Sequence, residues 1–184
     1  MKWSVKTLRL VILPAIAALV LLVAPAGAST DGTITREVSS RAALGRGIVA
    51  EINAVRAKRG LPRLVVSSSL ARAARRHSLD MARTGFFAHQ SPNRGSFDQR
   101  VRRDYRPEGY RSWTAGENLL WASPDIDARR AVQLWLESPT HRRILFRPGW
   151  REIGLSAVHS SSAPRVFQGL EVTIVTADFG ARVR

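Results

Sequence analysis

A-V-Q-L-W-L-E-S-P-T-H-R-R-I-L, residues 131 to 145, places the end of one helix, the start of the next and an ionisable pair within fifteen residues. Ser138 and Pro139 are the punctuation. Serine accepts a backbone N–H bond at a helix N-cap, and proline at the first helical position gives up no hydrogen bond it would otherwise make. The stretch therefore predicts one helix ending near Glu137 and a second starting at Pro139. Glu137 and His141 stand four residues apart across that junction, so a turn that brings them together lets the carboxylate orient or charge the imidazole. Upstream, Gly116-Glu117-Asn118 supplies a second carboxylate and Phe87-Ala88-His89 a second histidine. Two histidines and one or two glutamates form an inventory of the size a site needs. The same spacing also fits helix ends carrying ordinary polar residues.

Outward from this stretch the chain reads as helices first and strands last. Leu44, Ile48, Ile52 and Val55 form one stripe between Ser40 and Lys58, and Gly60 with Pro62 ends that helix. Leu64-Val65-Val66 is a short extended link, and the serines at 67 to 69 cap a second helix running to Thr84. That helix buries Leu70, Ala74, His77 and Met81 and stops at Gly85. A histidine among such neighbours reads as a packed, hydrogen-bonded core residue. Phe87 and His89 share a face if their segment is extended. Ser96 to Arg103 is a short helix with Phe97 and Val101 inward, and residues 104 to 114 are loop-like. Gly116-Glu117-Asn118 reads as a turn, and Ser123-Pro124-Asp125 as the cap of a helix reaching Glu137 with Ala128, Ala131, Val132 and Trp135 buried. After Pro148, Ile153 to Ala157 and Leu170 to Thr176 are β-rich. The turn residues from Ser160 to Pro164 between them favour antiparallel pairing. The order predicts an α+β fold with helices on the faces of an antiparallel sheet.

The chain has 184 residues, room for one domain beside a targeting segment. Residues 1–28 match such a segment: Lys2, Lys6 and Arg9 precede an apolar run from Leu10 to Val23 broken by Pro14, and Ala26-Gly27-Ala28 suits a cleavage site. Cleavage gives a secreted or cell-wall product with no stable membrane span. An uncleaved segment gives an N-terminal membrane anchor. Residues 29–40 are then a flexible lead and 41–184 the folded domain. The chain contains no cysteine, which excludes a disulfide framework, a lipidated cysteine and thiol chemistry. Without Lys2, Lys6 and Arg9 there remain 26 basic and 14 acidic residues, a net charge of +12. Most of it is arginine, spread over Arg72, Arg75, Arg76, Arg83, Arg94, Arg100, Arg102, Arg103, Arg142 and Arg143. No zinc-finger, RNP or basic-zipper pattern accompanies the charge, and export argues against nucleic acid as a partner. Contact with an anionic cell envelope, or an arginine-rich genome acting on solvated faces, accounts for it instead.

Four motifs in order, H-S-L-D-M-A-R-T-G-F-F-A-H-Q-S-P at 77–92, A-G-E-N-L at 115–119, W-L-E-S-P-T-H-R-R-I-L at 135–145 and R-E-I-G-L at 151–155, resemble the bacterial branch of the CAP superfamily. This group comprises the cysteine-rich secretory, antigen 5 and pathogenesis-related proteins, also called SCP domains. The resemblance covers about Ile48 to Phe179 and implies a three-layer α-β-α sandwich with one cleft. It further implies that His89, Glu117 and His141 line that cleft, as catalytic candidates and as candidate ligands of Zn²⁺ or another divalent cation. The family's fourth position, a glutamate in many members, falls on Ser138, while Glu137 stands one residue earlier and about 100° away around a helix.

Two functions follow. The resemblance implies a module that binds an envelope lipid, glycan or protein, with Tyr105, Tyr110, Trp113 and Trp121 either lining its surface or packing loops onto the core. The alternative is a hydrolase of peptides or envelope polymers. In it, imidazoles and a carboxylate hold a hydrated metal, or Glu117 acts as general base beside His89 or His141. The sequence carries neither G-x-S-x-G nor H-E-x-x-H. A third reading makes the His and Glu residues a hydrogen-bond network that pins loops.

Overall fold

Residues 37–92 and 95–184 are described by the computed structural model of the chain; the expected signal segment, residues 29–36 of the expected lead, and Asn93 and Arg94 lie outside the described residues. Five strands, β1 (Val38–Ser40), β2 (Val65–Val66), β3 (Ser112–Ala122), β4 (Glu152–Ser160) and β5 (Val172–Val183), make one sheet. Its order is β1-β4-β5-β3, antiparallel throughout, with β2 added as a two-residue parallel pair to β4. The helices are α1 (Ala42–Ala57), α2 (Ser68–Thr84), α3 (Phe97–Arg102), α4 (Ala128–Glu137) and α5 (Pro139–Leu145), plus a 3-10 turn at Arg165–Phe167. This is the expected α+β architecture. The last three residues of the expected lead are β1 itself.

Strand side chains alternate between faces, so each strand feeds two cores. Val175, Ala177 and Phe179 of β5 join Ile153 of β4 against Ile48 and Ile52 of α1 and Ala131, Val132 and Trp135 of α4. Val172 and Ile174 of β5 join Leu119 of β3 against Met81 and Ala82 of α2. Helices α1, α4 and α5 therefore cover one face, and α2 and α3 the other. Arg56 fastens the first layer from within. It is fully buried, and its guanidinium donates to the carbonyls of Pro62, Leu145 and Arg147, satisfying chain ends that α5 leaves open.

Three local expectations change. Gly116-Glu117-Asn118 lies inside β3 rather than in a turn, because this strand is buried on both sides at Glu117 and Asn118 and shows no polar alternation. Its glycine is there for close approach: a Cβ on Gly116 would sit 2.8 Å from the Trp150 ring. Helix α4 starts at Ala128, four residues after Pro124. Asp125 is engaged by the Ile126 N–H at 2.8 Å and the Thr173 hydroxyl at 3.0 Å, and Asp127 caps the helix by accepting from Arg130 N at 2.8 Å. Ser138 occupies the N-cap of α5 but its hydroxyl makes no cap bond, so Pro139, which has no N–H to satisfy, starts that helix.

Of the four aromatic residues offered as a recognition surface, Tyr105, Trp113 and Trp121 pack against other rings or the sheet, and Tyr110 is half-buried beneath the Arg182 guanidinium. Tyr105 is fully buried and donates its hydroxyl to Glu152, Trp113 meets Tyr105 edge-on at 6.2 Å, and Trp121 meets Phe167 at 5.3 Å.

Candidate functional site

The site forms at β3, the last strand of the sheet, where neighbouring residues point to opposite layers. Glu117 faces α2 and α3. Asn118 faces the other way and donates from Nδ2 to the His141 carbonyl at 3.1 Å, tying the first turn of α5 to the strand. His89 comes from the loop after α2. That helix ends at Gly85, whose left-handed φ of 71° lets the chain turn where a Cβ would be 2.3 Å from the Pro164 carbonyl.

His89 and Glu117 meet. His89 Nδ1 lies 2.8 Å from Glu117 Oε1; the imidazole side chain is 39 % exposed and the carboxylate 2 %. Burial alone would raise the Glu117 pKa, but the His89 bond and the Arg100 charge hold the carboxyl below its usual range. An ionised carboxylate only accepts, so Nδ1 carries a proton and, in the neutral ring, Nε2 keeps its lone pair for whatever enters.

Behind this pair stands a cluster that sequence reasoning missed. Arg100 of α3, buried, donates from one terminal nitrogen to Glu117 Oε2 at 2.5 Å, and its other lies 3.7 Å from Asp178. Asp178 is directly opposite Glu117 in the β3–β5 register and fully buried. Burial and the Glu117 charge push its carboxyl well above the ordinary range. In the sequence Arg100 looked like one more arginine of a solvated face. The usable signal was its place three residues after Phe97 and beside Val101, on the inward side of a helix whose capping box, Ser96 with Gln99, fixes its start.

His77 is the packed core histidine expected, with a second role at the site's floor. Its Nε2 lies 2.9 Å from the Ala88 carbonyl, which only accepts, so Nε2–H donates there and Nδ1 accepts from the Ser91 hydroxyl at 3.1 Å. Burial, outweighing the attraction of Glu117 at 3.9 Å, lowers its pKa to about 4. The ring is neutral at pH 7 and fixes the loop that carries His89.

His141 is close enough to His89 for their charges to interact, and burial, then that charge, lowers its pKa. Glu137 takes no part. It is exposed and paired with Arg130 at 3.0 Å. At the fourth position, the Ser138 hydroxyl is buried without a hydrogen-bond partner.

A metal shell of three protein ligands does not form: among the described residues no three His, Cys, Asp or Glu side chains group to hold an ion. Both Glu117 oxygens are committed, one to His89 and one to Arg100. The buried carboxylate instead orients His89 from behind through Nδ1.

The profile described as CAP, the cysteine-rich secretory protein family, matches residues 49–179. The chain belongs to the CAP family. Its relatives include the uncharacterized protein YkwD of Bacillus subtilis (strain 168), 36% identical over 140 residues that cover 76% of this chain and 52% of YkwD. The uncharacterized membrane protein YlbC of the same organism is 33% identical over 104 residues, 56% of this chain and 28% of YlbC. This CAP chain thus spans about half or less of the length of these relatives. Among solved structures, an extracellular protein containing an SCP domain from Bacillus anthracis str. Ames superposes with a TM-score of 0.58 at 28% identity, covering 75% of this chain and 40% of that one. An outer surface protein from Borrelia burgdorferi, with a TM-score of 0.59 at 20% identity over 79% of this chain and 98% of its own, shares the fold. Among the described residues of this CAP domain no helix is long and apolar enough to cross a membrane.

Proposed function

We propose that this CAP domain is a binding module of the cell exterior or envelope, in which His89 and His141 meet a lipid, glycan or protein ligand at the edge of β3. The observation that carries this reading is the commitment of Glu117: buried, ionised and held by Arg100, it is a fixed support for an exposed imidazole. A carboxylate whose pKa is held down is a poor general base, and it has no exposed oxygen to offer a substrate water, which counts against the hydrolase alternative. Location outside the cytoplasm is supported by the signal-like pattern of residues 1–28 and by the extracellular SCP-domain relative.

A divalent cation is a natural co-ligand here. His89 through Nε2 and His141 would hold it, and it would supply Lewis acidity or bridge to an anionic ligand group. Titration calorimetry with Zn²⁺ tests this. His89→Ala and His141→Ala should each remove most of the heat, Glu117→Gln should weaken binding by about tenfold as loss of an orienting partner does, and affinity should fall between pH 7 and 5 as protons compete for imidazole. Unchanged affinity in both histidine variants removes the cation. Turnover of casein or peptidoglycan that is lost in His89→Ala would replace the binding module with the hydrolase.

A further inference from the structure

The outer edge of β4, opposite β5, is broken. β1 pairs with β4 at residues 158–160 and β2 pairs with it at 152 and 153. Ser67 N donates to the Ile153 carbonyl at 2.8 Å and Arg41 N to the Ala157 carbonyl at 2.9 Å, closing either side of the break. Backbone groups alternate in direction along a strand, so Leu155, midway between those carbonyls, turns its N–H and C=O to the same edge, where no described strand lies.

A groove of about 390 Å³ opens at this point between the start of α1 and the first turn of α2. Small side chains keep it open. Gly45 and Ala50 line one wall and Ala71 another. A Cβ on Gly45 would come 3.3 Å from the Leu155 side chain. Val65 and Val66, 66 % and 63 % exposed, lie beside it on β2, Val66 as part of the lining. Arg46, Arg63 and Arg75 line the groove as well, and none of them forms an ion pair with a carboxylate of the described residues. An acyl chain would suit the apolar walls but leave the Leu155 donor and acceptor unmatched, at a cost. A free anion would answer the arginines and leave the walls bare. An extended peptide answers all three, since its backbone pairs with a strand edge while alternate side chains reach the walls.

We propose that this groove binds an acidic peptide segment of another protein in extended conformation, filling the break in the β4 edge while Arg46, Arg63 and Arg75 receive its carboxylates. From Ile153 to Ala157 the break spans about 13 Å, room for about three extended residues. The site is separate from the cleft of His89 and His141 and does not depend on their function.

The test is a heteronuclear NMR titration of the ¹⁵N-labelled protein with a blocked pentapeptide, acetyl-Ala-Glu-Val-Asp-Ala-amide, against a control with lysine at both acidic positions. Saturable shifts at the Leu155 and Ser156 amides are expected with the acidic peptide only. They should weaken at least about tenfold when Arg46, Arg63 and Arg75 are all changed to Gln, and also when NaCl is raised from about 0.05 to 0.5 M, since exposed charges are screened. Gly45→Leu alters no charge, favours the helix and fills the groove; it should abolish the shifts while the protein keeps its melting temperature. Equal response to the lysine peptide, binding that persists in the triple variant, or shifts confined to the loop of His89 would overturn the proposal. So would saturation of the groove by sodium dodecanoate with no response to the acidic peptide.

Discussion

The two faces of the sheet are held by different physics. Against α1 and α4 the sheet buries Phe179, Val175 and Ile153 with Trp135 and Trp150, and the buried donors there, the Arg56 guanidinium, the Asn118 amide and the indole N–H groups, find backbone carbonyls, Trp135 Nε1 that of Leu119 at 3.0 Å and Trp150 Nε1 that of Ile144 at 2.7 Å. Against α2 and α3 it buries Glu117, Asp178 and Arg100, with His77 beside them. Apolar burial is favourable and undirected, so the first face stabilises the fold whatever the domain binds. Desolvating ions roughly cancels their attraction, so this charged cluster adds little net stability to the apolar packing of Met81, Leu119 and Ile174 on the same face, and fixes geometry instead. The position of His89 depends on that geometry.

Removing one member from each face gives the largest effects and the sharpest contrast. Trp135→Ala should lower unfolding free energy by about 3 to 5 kcal/mol as a core truncation, and Arg100→Ala by a similar about 3 to 5 kcal/mol because a buried carboxylate loses its counter-charge. Urea unfolding at pH 7 checks both. The difference lies in rescue: adding Glu117→Gln should restore much of the loss in Arg100→Ala and none of it in Trp135→Ala. If neither variant is rescued, the charged cluster behaves as ordinary packing and the contrast fails.

Acid provides the next effect. The folded-state pKa of His77 is depressed to about 4 while the unfolded chain titrates near 6.5, so the unfolded state takes up the proton first. Stability is complete above about pH 6.5 and falls through about pH 4, with a total loss of about 3 kcal/mol from this group. His77→Gln should flatten the unfolding free energy between pH 6.5 and 4.5, whereas Trp135→Ala should leave that slope unaltered. The smallest effect belongs to Glu137. Glu137→Gln, which breaks only an exposed pair with Arg130, should change stability by less than about 0.5 kcal/mol and leave Zn²⁺ titration as in the wild type.

How much could be read beforehand follows the same division. The stripe of Leu44, Ile48, Ile52 and Val55, the break at Ser138-Pro139 and the β-rich tail gave three of the helices and the two central strands, since local periodicity and turn chemistry were enough. In sequence Glu117 reads as a turn residue because a strand with polar residues on both buried faces shows no period, and only the partners in space, Arg100 and His141, explain those residues. The late start of α4 depends likewise on Thr173, 48 residues from Asp125. Asp178 carried no local signal, since its meaning comes from the strand beside it.

That pairing has a consequence for how the chain avoids folding wrongly. A shift of β3 by one residue against β5 would turn Glu117 from Arg100 towards the tryptophans and bring Asn118 round to the charged side. A bare carboxylate would then sit among Trp150 and Phe179, at a cost of several kcal/mol for an unpaired buried ion. Gly116, whose missing Cβ makes room for the Trp150 ring, would leave its place as well. Glu117 and Asp178 therefore act as an address label for strand alignment, rejecting the neighbouring registers that eleven and twelve residues of largely apolar strand would otherwise accept.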